Sequence, residues 1–268
     1  MSLPRTKKMK NLEITFEKII CFLIAFGTPV LFAFHMLVIR PKLLQFWDLS
    51  FTRLSFHALL CTYSFVNVFV NMIMILIVDS SANSYKHEDE RWRYCQRCEK
   101  YQPDNSWHCK TCNDCILDRD HHCFCFNHCI GRNNLRYFIC FLTHMEISLA
   151  LCIYYDCCCI TSEFNFNSFL DITSCVAEII RPSYFMRKHL YAILWYFFVV
   201  IFILCGRLLW YHLDNVWKGM TSYEYHSGRI PKTTYWKKNM KRVFGVRWYL
   251  AILWPFVDSP LFKLYKIR

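Results

Sequence analysis

The sequence predicts an all-α integral membrane protein: four transmembrane helices, with a cysteine-rich module on the cytosolic side between the second and the third. Three observations carry that expectation. The 268 residues are 55% hydrophobic and 18% aromatic with only 6 glycines, too apolar for an ordinary water-soluble domain. Four runs, Ile19–Ile39, Leu54–Val78, Phe138–Ile160 and Leu190–Gly206, approach or exceed the roughly 17 to 25 residues that cross a hydrocarbon core. Eight of the 17 cysteines fall between Cys95 and Cys129, in the stretch that separates the second run from the third.

Taken in order, residues 1–18 form a basic N-terminal segment, and 19–78 hold the first two spans with a short loop between them. Residues 79–137 make the cysteine-rich module, 138–210 the last two spans and their loop, and 211–268 a C-terminal tail. Ile19–Ile39 is too long for the core of a signal peptide, and no small-residue cleavage site follows it, so it reads as a span. Lysine and arginine set the orientation. Of the 32, 26 lie before Ile19, between Asp79 and Tyr137, or from Arg207 onward, while the loops Arg40–Arg53 and Thr161–His189 hold 6. Basic segments stay on the cytosolic side, which puts both termini and the cysteine-rich stretch there. The formal charge of +12 suits anionic membrane lipid or a phosphorylated cosubstrate, and no nucleic-acid motif claims it. We expect no internal repeat and no low-complexity linker. His57, Asn67, Asn71, His144, Glu146 and Asp156 within the spans should face the bundle rather than lipid. Their scatter is not the pattern of a transporter built on broken helices.

Cytosolic thiols stay reduced, so cysteines clustered on that side point to a metal or a nucleophile rather than to disulfides. The spacing runs Cys95-x2-Cys98, His108-Cys109-x2-Cys112-x2-Cys115, then His122 and Cys129. These eight soft ligands suffice for two closed tetrahedral zinc sites, each of three thiolates and one imidazole. A short stretch between membrane helices has too little apolar surface for its own core, and bound metal would supply folding free energy, on the order of 10 kcal/mol per zinc. Asp120, His121, Cys123 and Cys125 are then left over. The first three are a carboxylate, a base and a nucleophile within four residues. A free thiol is only a few per cent ionised at neutral pH; a neighbouring imidazole raises that fraction, and a carboxylate fixes the imidazole's tautomer. A second assignment, with Cys123 as a ninth ligand and His121 at the surface, also fits the spacing.

The run from Cys95 to Phe138 resembles the cysteine-rich domain of the DHHC protein S-acyltransferases, the palmitoyltransferases, whose signature stands here as Asp120-His121-His122-Cys123. Pro103, His108-Cys109, the two later cysteine pairs, Asn127, Cys129, Gly131 and Asn133 continue the match, and the four-span layout agrees with it. The resemblance implies two structural Zn2+ ions with interleaved ligands: Cys95, Cys98, His108 and Cys115 on one, and Cys109, Cys112, His122 and Cys129 on the other. It implies that Cys123 takes a long-chain acyl group from palmitoyl-CoA as a thioester, with His121 as general base and Asp120 orienting it. A membrane-proximal cysteine of a protein substrate then attacks that thioester, in a ping-pong cycle. Arg132 and Arg136 are candidates for the CoA phosphates; anchoring at a basic membrane face accounts for them equally well. Thr221-Ser222-Tyr223-Glu224 is similar to the family's Thr-Thr-x-Glu element, which brings the Ser222 hydroxyl near Asp120 and the acyl-CoA site. Asn239 with Val243-Phe244-Gly245 resembles the family's C-terminal motif, in which the asparagine packs the tail against the membrane domain. The family's commonest address is the Golgi or endoplasmic reticulum membrane.

Departures stand beside the match. The family follows its catalytic cysteine with Pro-Trp, where this chain has Phe124-Cys125, and Asn105 replaces a common arginine. They keep open a second reading, a catalytically impaired, zinc-containing membrane scaffold. We expect Cys125 to be inert, because nothing in the sequence positions a base for it. The small Ser148 is a candidate for deepening an acyl pocket. Arg247–Arg268 mixes aromatic with basic residues, the composition of a segment lying in the membrane interface.

Overall fold

A computed structural model describes residues 51–82, 92–163, 182–230 and 235–261, with isolated positions before residue 51. Apart from those positions, the N-terminal segment and the first expected span, Ile19–Ile39, lie outside the described residues, as do most of the loops Arg40–Arg53 and Thr161–His189. Three long helices are present among the described residues: α1 (Phe51–Ile77), α2 (Leu135–Glu163) and α3 (Pro182–Lys218). Within them Ser55–Ile77, Leu135–Cys158 and Leu190–Lys218 are long and apolar enough to cross a membrane. They correspond to the second, third and fourth apolar runs, and a helix suits such runs because it closes every backbone hydrogen bond within itself.

The last of these helices continues well beyond Gly206. A lone glycine inside a helix costs only about 1 kcal/mol, too little to end one of this length. The stop comes at Gly219, whose φ of 71° is the left-handed conformation that glycine adopts without steric penalty. The Gly219 N–H donates to the Val216 carbonyl and the Met220 N–H to that of Asn215, the paired bonds that close a helix C-terminus. A Cβ at Gly219 would lie 2.8 Å from the Asn239 side chain, whose amide donates to the Trp217 carbonyl at 2.9 Å.

Between α1 and α2 the cysteine-rich stretch forms three antiparallel hairpins: β1 (Arg93–Cys95) with β2 (Lys100–Gln102), β3 (Ser106–Cys109) with β4 (Asp114–Leu117), and β5 (His121–Cys123) with β6 (His128–Ile130). Each turn holds a non-glycine residue of positive φ, Glu99, Asn113 and Asn127, and these stand 14 residues apart. The expectation of no internal repeat is therefore corrected. The module is one hairpin used three times, and little besides the cysteine, histidine and turn positions repeats, so no apolar period marks it.

The chain divides into two units. One comprises Asn67–Phe141 and Leu209–Arg268, hence the hairpins, the adjoining helix ends and the short helices α4 (Ser222–His226), α5 (Trp236–Phe244) and α6 (Trp248–Leu253). Asn134, fully buried, ties this unit together: its side-chain oxygen accepts from the Gly131 N–H and the Ser80 hydroxyl, and its amide donates to the Cys129 carbonyl. Tyr223 of α4 stacks on Trp107 of β3 at 5.0 Å. The other unit comprises Pro29–Val66 and Leu142–Leu208. Its polar side chains meet one another, His57 with the Tyr155 hydroxyl at 2.9 Å and His35 with Asp156 at 3.5 Å. Ile193, Phe197, Val200, Ile203 and Leu204 of α3 are exposed, as a lipid-facing surface requires.

Candidate metal centres and active site

The hairpins bring the expected ligands together in two sets, Cys95, Cys98, His108 and Cys115, and Cys109, Cys112, His122 and Cys129, each with its ligand atoms within 4.8 Å of one another. In the first set the Cys98 sulfur lies 3.2 Å from His108 Nδ1 and 3.7 Å from the Cys115 sulfur. In the second, Cys112 lies 3.3 Å from His122 Nδ1 and 3.4 Å from Cys129. A tetrahedral zinc with ordinary bond lengths has ligand edges of about 3.5 to 3.8 Å, so the donors fit the ion in chemistry and in size. Pairing explains the interleaving. His108 stands opposite Cys115 in one hairpin and His122 opposite Cys129 in the next, and each set is completed by the Cys-x2-Cys turn of the hairpin before it. Corresponding ligands of the two sets are 14 residues apart.

Continuing that repeat, Cys123 is the third-hairpin counterpart of Cys95 and Cys109. Its would-be partners, however, are Phe126, Arg136 and Thr143, none of them a zinc ligand in the family of residues that binds this ion. Among the described residues no converging ligand set includes Cys123.

Side chains alternate across a strand. In β5 this sends His122 toward the second metal set and turns His121 and Cys123 to the opposite face. His121 Nδ1 lies 2.8 Å from Asp120 Oδ2, which leaves Nε2 as the free ring nitrogen. The Ser222 backbone N–H donates to Asp120 Oδ1 and its hydroxyl to Oδ2, both at 2.8 Å. Ser222 is in place because Thr221 and Glu224 form a reciprocal capping box at the start of α4, which satisfies the orphan N–H groups of the first turn. Burial works against ionisation of Asp120, but the His121 hydrogen bond, the neighbouring imidazoles and the Ser222 N–H outweigh it and hold the carboxyl below its usual range. The Cys123 thiol, itself buried, is pushed up, first by the Cys125 thiol beside it and then by burial, while Cys125 is lowered by the same hydrogen bond.

Three further placements bear on the site. The Ser222 hydroxyl donates to the carboxylate of Asp120 and accepts from the Asn215 amide at 3.3 Å. Arg132 lines a cavity with Asp118, Thr221, Asn239 and Arg242. Arg136 donates to the Ser259 carbonyl and to the Tyr137 hydroxyl and lies over the Tyr137 ring, so it anchors the tail. Asn105, where the family has an arginine, donates to Asp118 at 2.7 Å, and Asp118 also pairs with Arg242 at 2.8 Å. Sequence reasoning missed His212, in the last turns of α3, whose Nδ1 lies 3.4 Å from Asp120 Oδ2. The available signal was a histidine and an asparagine, His212 and Asn215, at helical spacing shortly before a glycine stop, in the mixed polar and apolar stretch that follows the fourth apolar run.

Fold and site together define a class: a membrane protein whose cysteine-rich, metal-binding module carries the parts of a thiol-based transferase. The sequence profile described as DHHC palmitoyltransferase matches residues 88–229, more than half of the chain, and the protein belongs to that family. Its relatives include the zebrafish (Danio rerio) protein named probable palmitoyltransferase ZDHHC24, 32% identical over 174 residues that cover 63% of this chain and 59% of the relative. The rat (Rattus norvegicus) protein of the same name is 28% identical over 218 residues, covering 75% of this chain and 74% of the relative.

Proposed function

We propose that this chain is a protein-cysteine S-palmitoyltransferase with four transmembrane helices, both termini and the zinc module on the cytosolic side, acting at a Golgi or endoplasmic reticulum membrane. One observation carries the reading: a buried Asp120, bonded to Ser222 and His121, lies beside a strand whose one face presents both His121 and Cys123. His121 takes the Cys123 proton as the sulfur attacks the thioester carbonyl of palmitoyl-CoA. The tetrahedral adduct expels the CoA thiolate, which collects that proton. A substrate cysteine then attacks the Cys123 thioester and restores the thiol. One thioester replaces another at each step, so positioning and proton transfer account for the catalysis. The two zinc sites hold the hairpins and take no part in the chemistry. Arg132 is the candidate for the CoA phosphates, Arg136 being committed to Ser259 and Tyr137, and apolar helices favour the acyl tail by about 0.8 kcal/mol per buried CH2.

The test is incubation of the purified full-length protein with labelled palmitoyl-CoA. Label should appear through a hydroxylamine-sensitive bond, and Cys123→Ser should remove it while the zinc content is unchanged. Normal zinc content with no label on the wild-type chain would support the scaffold reading, which the Phe124-Cys125 replacement favours.

A further inference from the structure

Asp120 carries more partners than the tetrapeptide supplies. A carboxylate has about four lone-pair directions, and when buried each left unfilled costs free energy. The side chain of Asp120 is 2% exposed. Ser222 fills one direction on Oδ1 and one on Oδ2, and His121 fills another on Oδ2. His212 comes from a different element altogether, 3.4 Å away through Nδ1. That separation is long for a formed hydrogen bond, yet catalytic hydrogen bonds in unliganded enzymes are commonly long and tighten in the reacting complex.

The rings tell the same story. The ring centroids of His121 and His212 lie 5.3 Å apart, tilted by 36°, and the Phe138 ring stands steeply to both, at 5.0 Å in each case. His121 is thus gripped at Nδ1 by Asp120 and flanked by two rings, while 28% of its side chain stays exposed, enough to meet a substrate. Nothing comparable restrains it from the opposite side among the contacts of the described residues. His212 itself is 4% exposed and does not reach solvent, so a direct role toward substrate is the weaker assignment.

We propose that His212 is a positioning residue for acyl transfer: its Nδ1–H completes the donor set of Asp120 and, with Phe138, fixes the ring of His121 in the orientation from which it takes the Cys123 proton. The inference rests on the S-acyltransferase reading above. It implies that the tail of α3 is part of the active site, joined to the hairpin module through a shared carboxylate.

The experiment compares palmitate uptake by the wild-type protein, His212→Phe and His212→Asn, each purified at full length with its zinc content measured. Phenylalanine keeps an aromatic ring and loses the donor; asparagine places an amide N–H near the position of Nδ1. His212→Phe should lower the maximal uptake rate about 10- to 100-fold, the scale of a misplaced catalytic group, with the palmitoyl-CoA concentration at half-maximal rate unchanged. His212→Asn should recover most of the loss. Wild-type uptake in His212→Phe, or an equally slow His212→Asn, would overturn the proposal. So would a third zinc per wild-type chain that His212→Phe removes, because Asp120, His121 and His212 also converge closely enough to hold an ion. Absence of label on the wild-type chain would instead reject the acyltransferase reading and the positioning role with it.

Discussion

Cys123 and Cys125 sit two residues apart on one hairpin, close enough for the thiols to share a hydrogen bond. Two like charges at that range are disfavoured, so one sulfur ionises first. Cys125 is the less buried, and their shared hydrogen bond lowers the Cys125 thiol and pushes the Cys123 thiol up. Replacing Cys125 with serine removes the competing charge and lowers the pH at which Cys123 ionises. The sign follows: at fixed neutral pH, Cys125→Ser should take up palmitate faster, by a few-fold, and the rising limb of its pH–rate profile should move to lower pH. The gain is modest because a thiolate of lower pKa is also a weaker nucleophile. Slower uptake at every pH would mean that Cys125 takes part in the chemistry rather than standing by. At this scale the sequence was most legible where residues are adjacent. Asp120, His121 and Cys123 announce themselves within four positions. His212 does not, because only folding brings it to Asp120, and a histidine in an apolar helix has many ordinary explanations.

At the scale of elements, the hairpin repeat explains both the metal sets and the spare cysteine, since the third hairpin has Phe126 in place of the second turn cysteine and no following hairpin to lend it a histidine and a thiol. Strand boundaries so short were not readable from alternation; strands of three or four residues carry too few positions to establish a period. The long helices were, because 20 or so consecutive apolar residues leave a segment little other choice. The fourth apolar run, Leu190–Gly206, marks only part of α3, which begins at Pro182 and closes at the glycine of positive φ. Gly131 shows how tightly the hairpins meet. A Cβ there would come within 2.7 Å of both Ile116 Cγ2 and the Leu117 carbonyl oxygen, and the neighbouring Asn134 leaves the backbone no room to retreat. Gly131→Ala should therefore destabilise the module by about 1 to 3 kcal/mol, the range for overpacking a filled site. Zinc release at lower denaturant concentration is the readout; unchanged release would show that Ile116 yields freely.

For the molecule as a whole, the two kinds of structure in this chain are stabilised by different physics, and they should fail separately. The apolar helices hold their own backbone hydrogen bonds and need only a lipid or detergent surround. The module has a small buried core, in which cysteine sulfurs take much of the space, so metal held by the two Cys/His sets would supply much of its folding free energy. A high-affinity chelator at mildly acidic pH, where protonation of the thiolates favours release, should withdraw two zinc ions per chain. Most of the helical circular-dichroism signal should survive, because α1, α2 and α3 contain most of the helix in the described residues. Palmitate uptake should vanish in the same step, since β5 carries His122 to the metal on one face and the reactive pair on the other, and a strand that loses one anchor loses the alignment of both. Uptake that persists after both ions are gone would mean that the hairpins hold their register without metal.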